Sequence, residues 1–313
     1  HHTDIGGLTP GSMPAHSHTL MEEGVIIDGF ILKNGKFLEN DLRRRLIDHP
    51  YPARYVEQNI NDLRAQVAAL QHGRLALNRL IAQEGRKRIR SIMQVILKQG
   101  ERALREKLPQ LVPQSVINRL DDDQQIAVRV SVIENIQSKH RSNKTKDQLS
   151  QPTLCFDFKG TSEVSLGNRN TPPSITSSAI LYVLRLWLGD AVPLNEGVMR
   201  AVMIKLPSNS LLSPLPNSAV VAGNVETSQA LVDTLLVALQ LQAHGQGTMN
   251  NLTLGWKTGS YYEALCGGTG AGQNYHGCNA IHCHMTNSRL TDPEVFERNV
   301  PMLINHFFIR TES

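Results

Sequence analysis

No run of about 18 uninterrupted apolar residues occurs in the 313-residue chain, which excludes a membrane-spanning helix of ordinary length. Charge of one sign is scarce too. Lys and Arg number 32 against 28 Asp and Glu, and a net charge of +4 is too small for this length to argue for a nucleic-acid partner. Cysteine is rare: Cys155, Cys266, Cys278 and Cys283 form no Cys-x-x-Cys pair and no dense secreted framework, so reduced thiols and a cytoplasmic location are expected. Cys278, His282, Cys283 and His284 raise a zinc site, but no second ligand pair at finger-like spacing accompanies them, and incidental thiols are the expectation. An initiator methionine and a signal peptide are missing, so the sequence reads as a fragment. Neither an internal repeat nor a low-complexity tract is present. With 40% apolar residues the chain can bury a sizeable core in one large domain or two.

What is there is concentrated at the start. Residues 1–18 carry four imidazoles (His1, His2, His16, His18) and the carboxylate of Asp4, with glycines and prolines shaping the backbone between them. Two leading histidines are also what an affinity tag leaves, but the composition suits a divalent metal, and this nitrogen and oxygen donor set does not separate zinc from manganese or iron. Such an ion could polarise an acyl or phosphoryl oxygen and bring the pKa of bound water toward about 7.

The rest reads as an α+β fold: mixed sheets with a helical segment at about 59–108 and buried helices at about 178–188 and 228–243. Residues 1–120 form a metal-loop and helical part and 121–313 a mixed α+β part. A strand over 25–32 and a turn at Asn34-Gly35 precede a short helix over 39–47. In the long helical stretch Ile89, Ile92, Met93, Ile96 and Leu97 make an apolar stripe, and Gly73, Gly85 and Gly100 are expected to divide it. Its basic residues, Arg86 to Lys107, have no aromatic neighbours for base stacking and read as a solvated face. Strands are expected over 126–132 and 154–158 around a mobile basic loop at 137–151, and again over 279–287 and 302–309, with a helix opening at Asp292-Pro293-Glu294 between the last two. Thr227 or Ser228 is expected to cap the helix of 229–243, whose amino terminus, delivered by Gly223-Asn224, is either an anion site or an ordinary cap. The glycine run 267–272 lacks the Lys-Ser/Thr of a P-loop and fits a flexible turn or a close backbone approach.

Several blocks resemble, in order along the chain, the hydantoinase B/oxoprolinase family. They are HHTDIGGLTPGSMP (1–14) with MEEG (21–24), NDLRAQVAA (61–69), FDFKGT (156–161), PLNEG (193–197), GNVETSQ (223–229), GTMNN (247–251) and HMTNSRLTDPE (284–294). The resemblance implies a partial domain, truncated at both ends of 1–313. It also implies ATP-dependent ring opening of 5-oxo-L-proline to L-glutamate. ATP would be bound by a separate hydantoinase A-type region, and this region would act on the phosphorylated cyclic amide with a metal-activated water. An N-methylhydantoinase B-type or ketone carboxylase subunit is the alternative within the class, and a non-catalytic interaction module the alternative outside it. The roles implied are metal binding by His1, His2 and Asp4, and catalysis by Asp4, Asp62, Arg64 and His284. Substrate binding falls to Asn224, Thr227, Ser228, Gln229, Asn250, Asn251, Asn287 and Arg289. A homo-oligomer without nucleic-acid or membrane partners is expected.

Overall fold

The computed structural model describes residues 4–28, 38–134, 151–190, 192–257, 259–286 and 288–309. The expected Asn34-Gly35 turn and all but one residue of the basic loop at 137–151 lie outside them, as does the second half of the strand expected over 25–32, whose residues 25–28 are not strand.

The main sheet has four strands in the order β1 (Gln114–Arg119), β2 (Gln125–Ile133), β3 (Thr153–Asp157) and β4 (Val202–Lys205). β1, β2 and β3 pair antiparallel, whereas β4 joins β3 in parallel with Leu154 opposite Val202. Alternation in β2 puts Ile126, Val128 and Val130 into the core while Arg129 is exposed. Helix α4 (Pro173–Leu188) and helix α5 (Ser228–Ala238) bury their apolar residues in the same core, with Ile180, Leu184, Leu231 and Leu235 fully enclosed beside Phe156 and Phe158. Asn118 of β1 donates to the Ala230 carbonyl and the Thr234 hydroxyl, which pins α5 to the sheet.

Before the sheet, α1 (Glu39–Ile47) packs on the first turns of α2 (Val56–Glu84), and α3 (Arg86–Lys107) runs back from the break at Gly85. At about 1.5 Å per residue α2 is roughly 43 Å long, and only Asn59 and Ile60, near its start, are buried. Of the three glycines expected to divide this stretch, only Gly85 does. Gly73 lies inside α2, and Gly100 is inside α3 because a side chain there would meet Asn195, 2.8 Å from where a Cβ would stand.

Two expected strands are not formed. Across 279–287, Ala280 and His284 take left-handed conformations (φ +56° and +57°), which breaks an extended run. Residues 302–309 have no strand neighbour among the described residues, and Leu303 and Phe308 are largely exposed. A hairpin the sequence reading did not include, β5 (Asn251–Trp256) with β6 (Gly259–Ala264), carries the end of the glycine- and asparagine-rich segment instead. The short α6 (Pro293–Asn299) begins where Asp292 accepts from the Glu294 amide. Among the described residues no helix is long and apolar enough to cross a membrane.

Candidate functional site

The helix containing α5 begins earlier than the sequence suggests. Residues 221–238 are helical throughout, with a π turn over Gly223–Thr227 in place of the expected terminus. Its free amides already have an anion: the buried carboxylate of Glu23 accepts from Val220 (2.9 and 3.0 Å) and Val221 (3.0 Å), and from the Ser17 hydroxyl (2.9 Å). Burial pushes this carboxyl above its ordinary pKa, against the amides that hold it down. Asp233 and Leu239 lie near the far end, where Gln240 turns left-handed (φ +56°) and stops the helix short of 243.

The π turn forms one wall of a cavity of about 690 Å³. Val225, Glu226 and Thr227 of this turn all line the cavity. Residues 13–15 of the opening loop form a second side, the end of β1 with Asn118, Arg119 and Asp121 a third, and the loop 244–248 with Asn251 and Thr253 a fourth. Both signs of charge meet there, Arg119 and Arg169 with Asp121, Glu226 and Asp233, and the His244 imidazole lines the same cavity.

Behind the cavity lies an ion pair. His284 Nε2 is 3.3 Å from Asp233 Oδ1, off the line of a good hydrogen bond, and both side chains are buried. Asp233 also accepts from the Gly245 amide (3.1 Å), and Tyr182 Oη lies 3.4 Å from His284 Nδ1. Burial opposes a charged imidazole here, but Asp233 and the Cys283 side chain outweigh it and lift His284 to about 9.

The whole chain, residues 1–313, matches the sequence profile of the hydantoinase B/oxoprolinase family. It belongs to that family. Among its relatives, 5-oxoprolinase 1 of Arabidopsis thaliana is 38% identical, matching 100% of this chain and 26% of its own length. The 5-oxoprolinase of Dictyostelium discoideum is 39% identical over 100% of this chain and 24% of its own length. The chain therefore spans about a quarter of the relatives it matches. A solved structure, the ATP-dependent caprolactamase from Pseudomonas jessenii, has the same fold with a TM-score of 0.76 at 20% identity, covering 97% of this chain and 53% of that one.

Of the residues that the oxoprolinase-family blocks pointed to, the fold gathers some and leaves others apart. Thr227 and Asn251 line the cavity, and Thr227 donates to the Arg169 carbonyl (2.6 Å). Gln229 stands behind it, donating to the Thr286 hydroxyl (3.1 Å) and accepting from the Met285 amide (3.0 Å), so that it carries the segment of His284. Ser228 is turned to the Asn224 carbonyl (2.7 Å), and the Asn224 residue itself is exposed. Asn250 takes a left-handed conformation (φ +51°) and donates to Gln246 (3.1 Å). Arg289 is exposed and does not line the cavity, and Asn287 lies outside the described residues. Asp62 and Arg64 sit on α2 away from the cavity, where Arg64 pairs with Glu39 (2.6 Å) and joins α2 to α1.

Of the metal donors that the resemblance implied, His1 and His2 lie outside the described residues, and Asp4, which alone lies among them, is otherwise engaged. Its buried carboxylate accepts from the Gly6 and Gly11 amides (2.9 and 2.7 Å) and from Arg54 Nη1 (3.1 and 3.0 Å). A divalent cation there would have to displace a guanidinium, so the arrangement does not fit one. Among the described residues no three His, Cys, Asp or Glu side chains are placed to hold a metal ion. Nor do the zinc candidates converge: His282 is bonded to the Ala264 carbonyl and His284 is held by Asp233. The Asp4–Arg54 pair organises the loop, because Arg54 also donates to the carbonyls of Gly7 (2.8 Å) and Thr9 (3.1 Å). Replacing Arg54 with alanine is expected to cost about 2–3 kcal/mol, below the roughly 3–5 of a fully enclosed pair because Arg54 is partly exposed. Thermal unfolding measures this, and an unchanged melting temperature would mean that the loop is held by other contacts.

Sequence reasoning passed over Glu226, Asp233, Arg169, Arg119 and His244. A signal existed for two of them. Glu226 lies inside the GNVETSQ block, and Asp233 is the one charged residue in the otherwise apolar and uncharged Ser228–Ala238, where a carboxylate needs a partner.

Proposed function

We propose that this chain is the lactam-opening region of an ATP-dependent 5-oxoprolinase, in which the amide of 5-oxo-L-proline is hydrolysed to L-glutamate. One observation carries the reading: three blocks shared with the family, at 1–14, 223–229 and 247–251, are far apart in sequence yet line a single cavity. The relatives at 38% and 39% identity that bear the name 5-oxoprolinase support the substrate. The volume suits a five-membered lactam with room for a phosphoryl group beside it.

Each side of the cavity has a use in this reaction. Arg119 can hold the substrate carboxylate, beside Arg169, which is paired with Asp122 (3.0 Å), while Thr227 and Asn251 can orient the ring amide. An unstrained amide is a poor electrophile and its oxygen a poor leaving group, which is the chemical reason for joining the reaction to ATP. The phosphoryl donor belongs, in this reading, to a hydantoinase A-type region in the remaining three quarters of the full-length protein. The test is to incubate the full-length chain with 5-oxo-L-proline and magnesium ATP and to follow glutamate and ADP together. Equimolar glutamate and ADP are expected. ADP formation without glutamate from a folded preparation would reject this substrate and turn the search to hydantoins.

A further inference from the structure

The cavity holds three carboxylates, and their surroundings separate them. Asp233 is enclosed, committed to His284 and to the Gly245 amide. Asp121 is exposed in the turn after β1. Glu226 is half-buried on the π turn, and its Oε1 accepts from Asn251 Nδ2 (3.3 Å) and the Met249 amide (3.4 Å). Asn251 in turn accepts, through Oδ1, from the Tyr262 hydroxyl. The direction of this chain follows from chemistry. An ionised carboxylate only accepts, so Asn251 must offer it the NH₂ group, and its oxygen is then left for the Tyr262 hydroxyl. Two donors on Oε1 fix the orientation of the Glu226 carboxylate and leave Oε2 to meet a ligand. Tyr262 lies close enough that burial, with the Glu226 charge second, pushes its phenol up.

We infer that Glu226 is the proton-transfer group of the cavity, and that Asn251 and Tyr262 are positioning residues that aim it. The inference rests on the lactam reading above. Glu226 takes a proton from the attacking water as the water oxygen bonds to the ring carbonyl carbon. The C–N bond then breaks, and the nitrogen, which leaves with the electron pair, receives that proton from Glu226. On the phosphorylated ring, addition of this water and loss of the nitrogen leave an acyl phosphate and regenerate the Glu226 carboxylate; a second water then releases inorganic phosphate and gives the free carboxylate, so that two waters are consumed for each glutamate and ADP formed.

The experiment compares full-length wild type, Glu226→Gln, Glu226→Asp and Tyr262→Phe, with 5-oxo-L-proline and magnesium ATP. Glu226→Gln is expected to lower glutamate formation by about 10²–10⁴-fold, the usual range for losing a general base, while ADP formation falls far less. Glu226→Asp is expected to recover part of the loss. Tyr262→Phe removes only the hydroxyl that fixes Asn251; it is expected to move the acid limb of the kcat/KM profile upward, because a less well held carboxylate takes a proton more readily. A merely structural tyrosine would lower the rate without moving the limb. If Glu226→Gln fails to fold, the Tyr262→Phe profile decides alone. Glutamate formation by wild type together with a Glu226→Gln variant within threefold of it overturns the assignment and leaves the lactam reading standing. A wild type that makes no glutamate overturns both.

Discussion

Gly223→Ala is expected to lower the melting temperature by roughly 10 °C or to prevent folding altogether. A Cβ on Gly223 would stand 1.9 Å from the Asn170 carbonyl oxygen and 3.0 Å from the Thr171 hydroxyl. The first obstacle is backbone, which cannot rotate away as a side-chain end would. Asn170 is itself fixed, its Nδ2 donating to the carbonyls of Ser165, Gly167 and Ala219. Opening this contact would also stretch the Gly223 amide bond to the Asn168 carbonyl (3.1 Å) and the Thr171 hydroxyl bond to the Gly223 carbonyl (3.3 Å). Overpacking of about 1–3 kcal/mol, added to two hydrogen bonds of about 1 kcal/mol each, gives a loss of roughly 4 kcal/mol. Calorimetry or a soluble-yield assay reads the result, and a variant melting within 2 °C of wild type would show that the π turn tolerates displacement. If the variant folds, lactam hydrolysis is still expected to suffer, since Asn168, Glu226 and Thr227 share the same wall.

The second large effect concerns Asp233 and pH. His284 titrates at about 9 in the fold against an ordinary 6.5, so the folded chain holds the proton more tightly than the unfolded one. The stabilisation is therefore complete below about 6.5 and lost as the pH rises through about 9. Melting temperature is expected to decline across that window in wild type. In Asp233→Asn, which keeps an oxygen for the Gly245 amide but loses the charge, the decline should shrink. Asp233→Leu removes both and is expected to cost about 2–3 kcal/mol at pH 6. That is less than the roughly 3–5 of a broken buried pair, because the imidazole can shed its proton. Cys283 and Tyr182 face the same ring, so Cys283→Ala and Tyr182→Phe serve as controls. A melting curve with the same pH dependence in wild type and Asp233→Asn would remove Asp233 as the partner that holds the His284 proton.

Regular periodicity made much of this fold legible. The alternation of Ile126, Val128 and Val130 placed β2 and the apolar run before Gly189 placed α4, whereas of the apolar stripe expected on α3 Ile89 is buried but Ile92, Met93 and Ile96 are exposed. Where the backbone departs from regularity the reading failed. Ala280 and His284 are apolar or aromatic enough to suit a strand, but their left-handed conformations are set by tertiary contacts, among them the Gln229 bonds at 283 and 285. The π turn carries no local mark, because Val225-Glu226-Thr227 would suit an α-helix equally well. That Glu226 on this turn lines a cavity was invisible for the same reason. Of the residues that motif context named, Thr227 and Asn251 line the cavity. It also drew in Asp62 and Arg64, whose block serves the seating of α2 against α1 at Glu39.

The bond from Glu23 to the amides of Val220 and Val221 spans 197 and 198 residues of chain. During synthesis at about 5–20 residues per second, the opening loop must wait roughly 10–40 s before its acceptors' partners have even been made. For that interval the carboxylate stays in water, and only the nearer contacts, Asp4 with Arg54 among them, can hold the loop. The opening loop, made before the helix that binds it, is thus among the last of these elements to find its place, and the cavity wall it forms is completed only when the helix of 221–238 is in position.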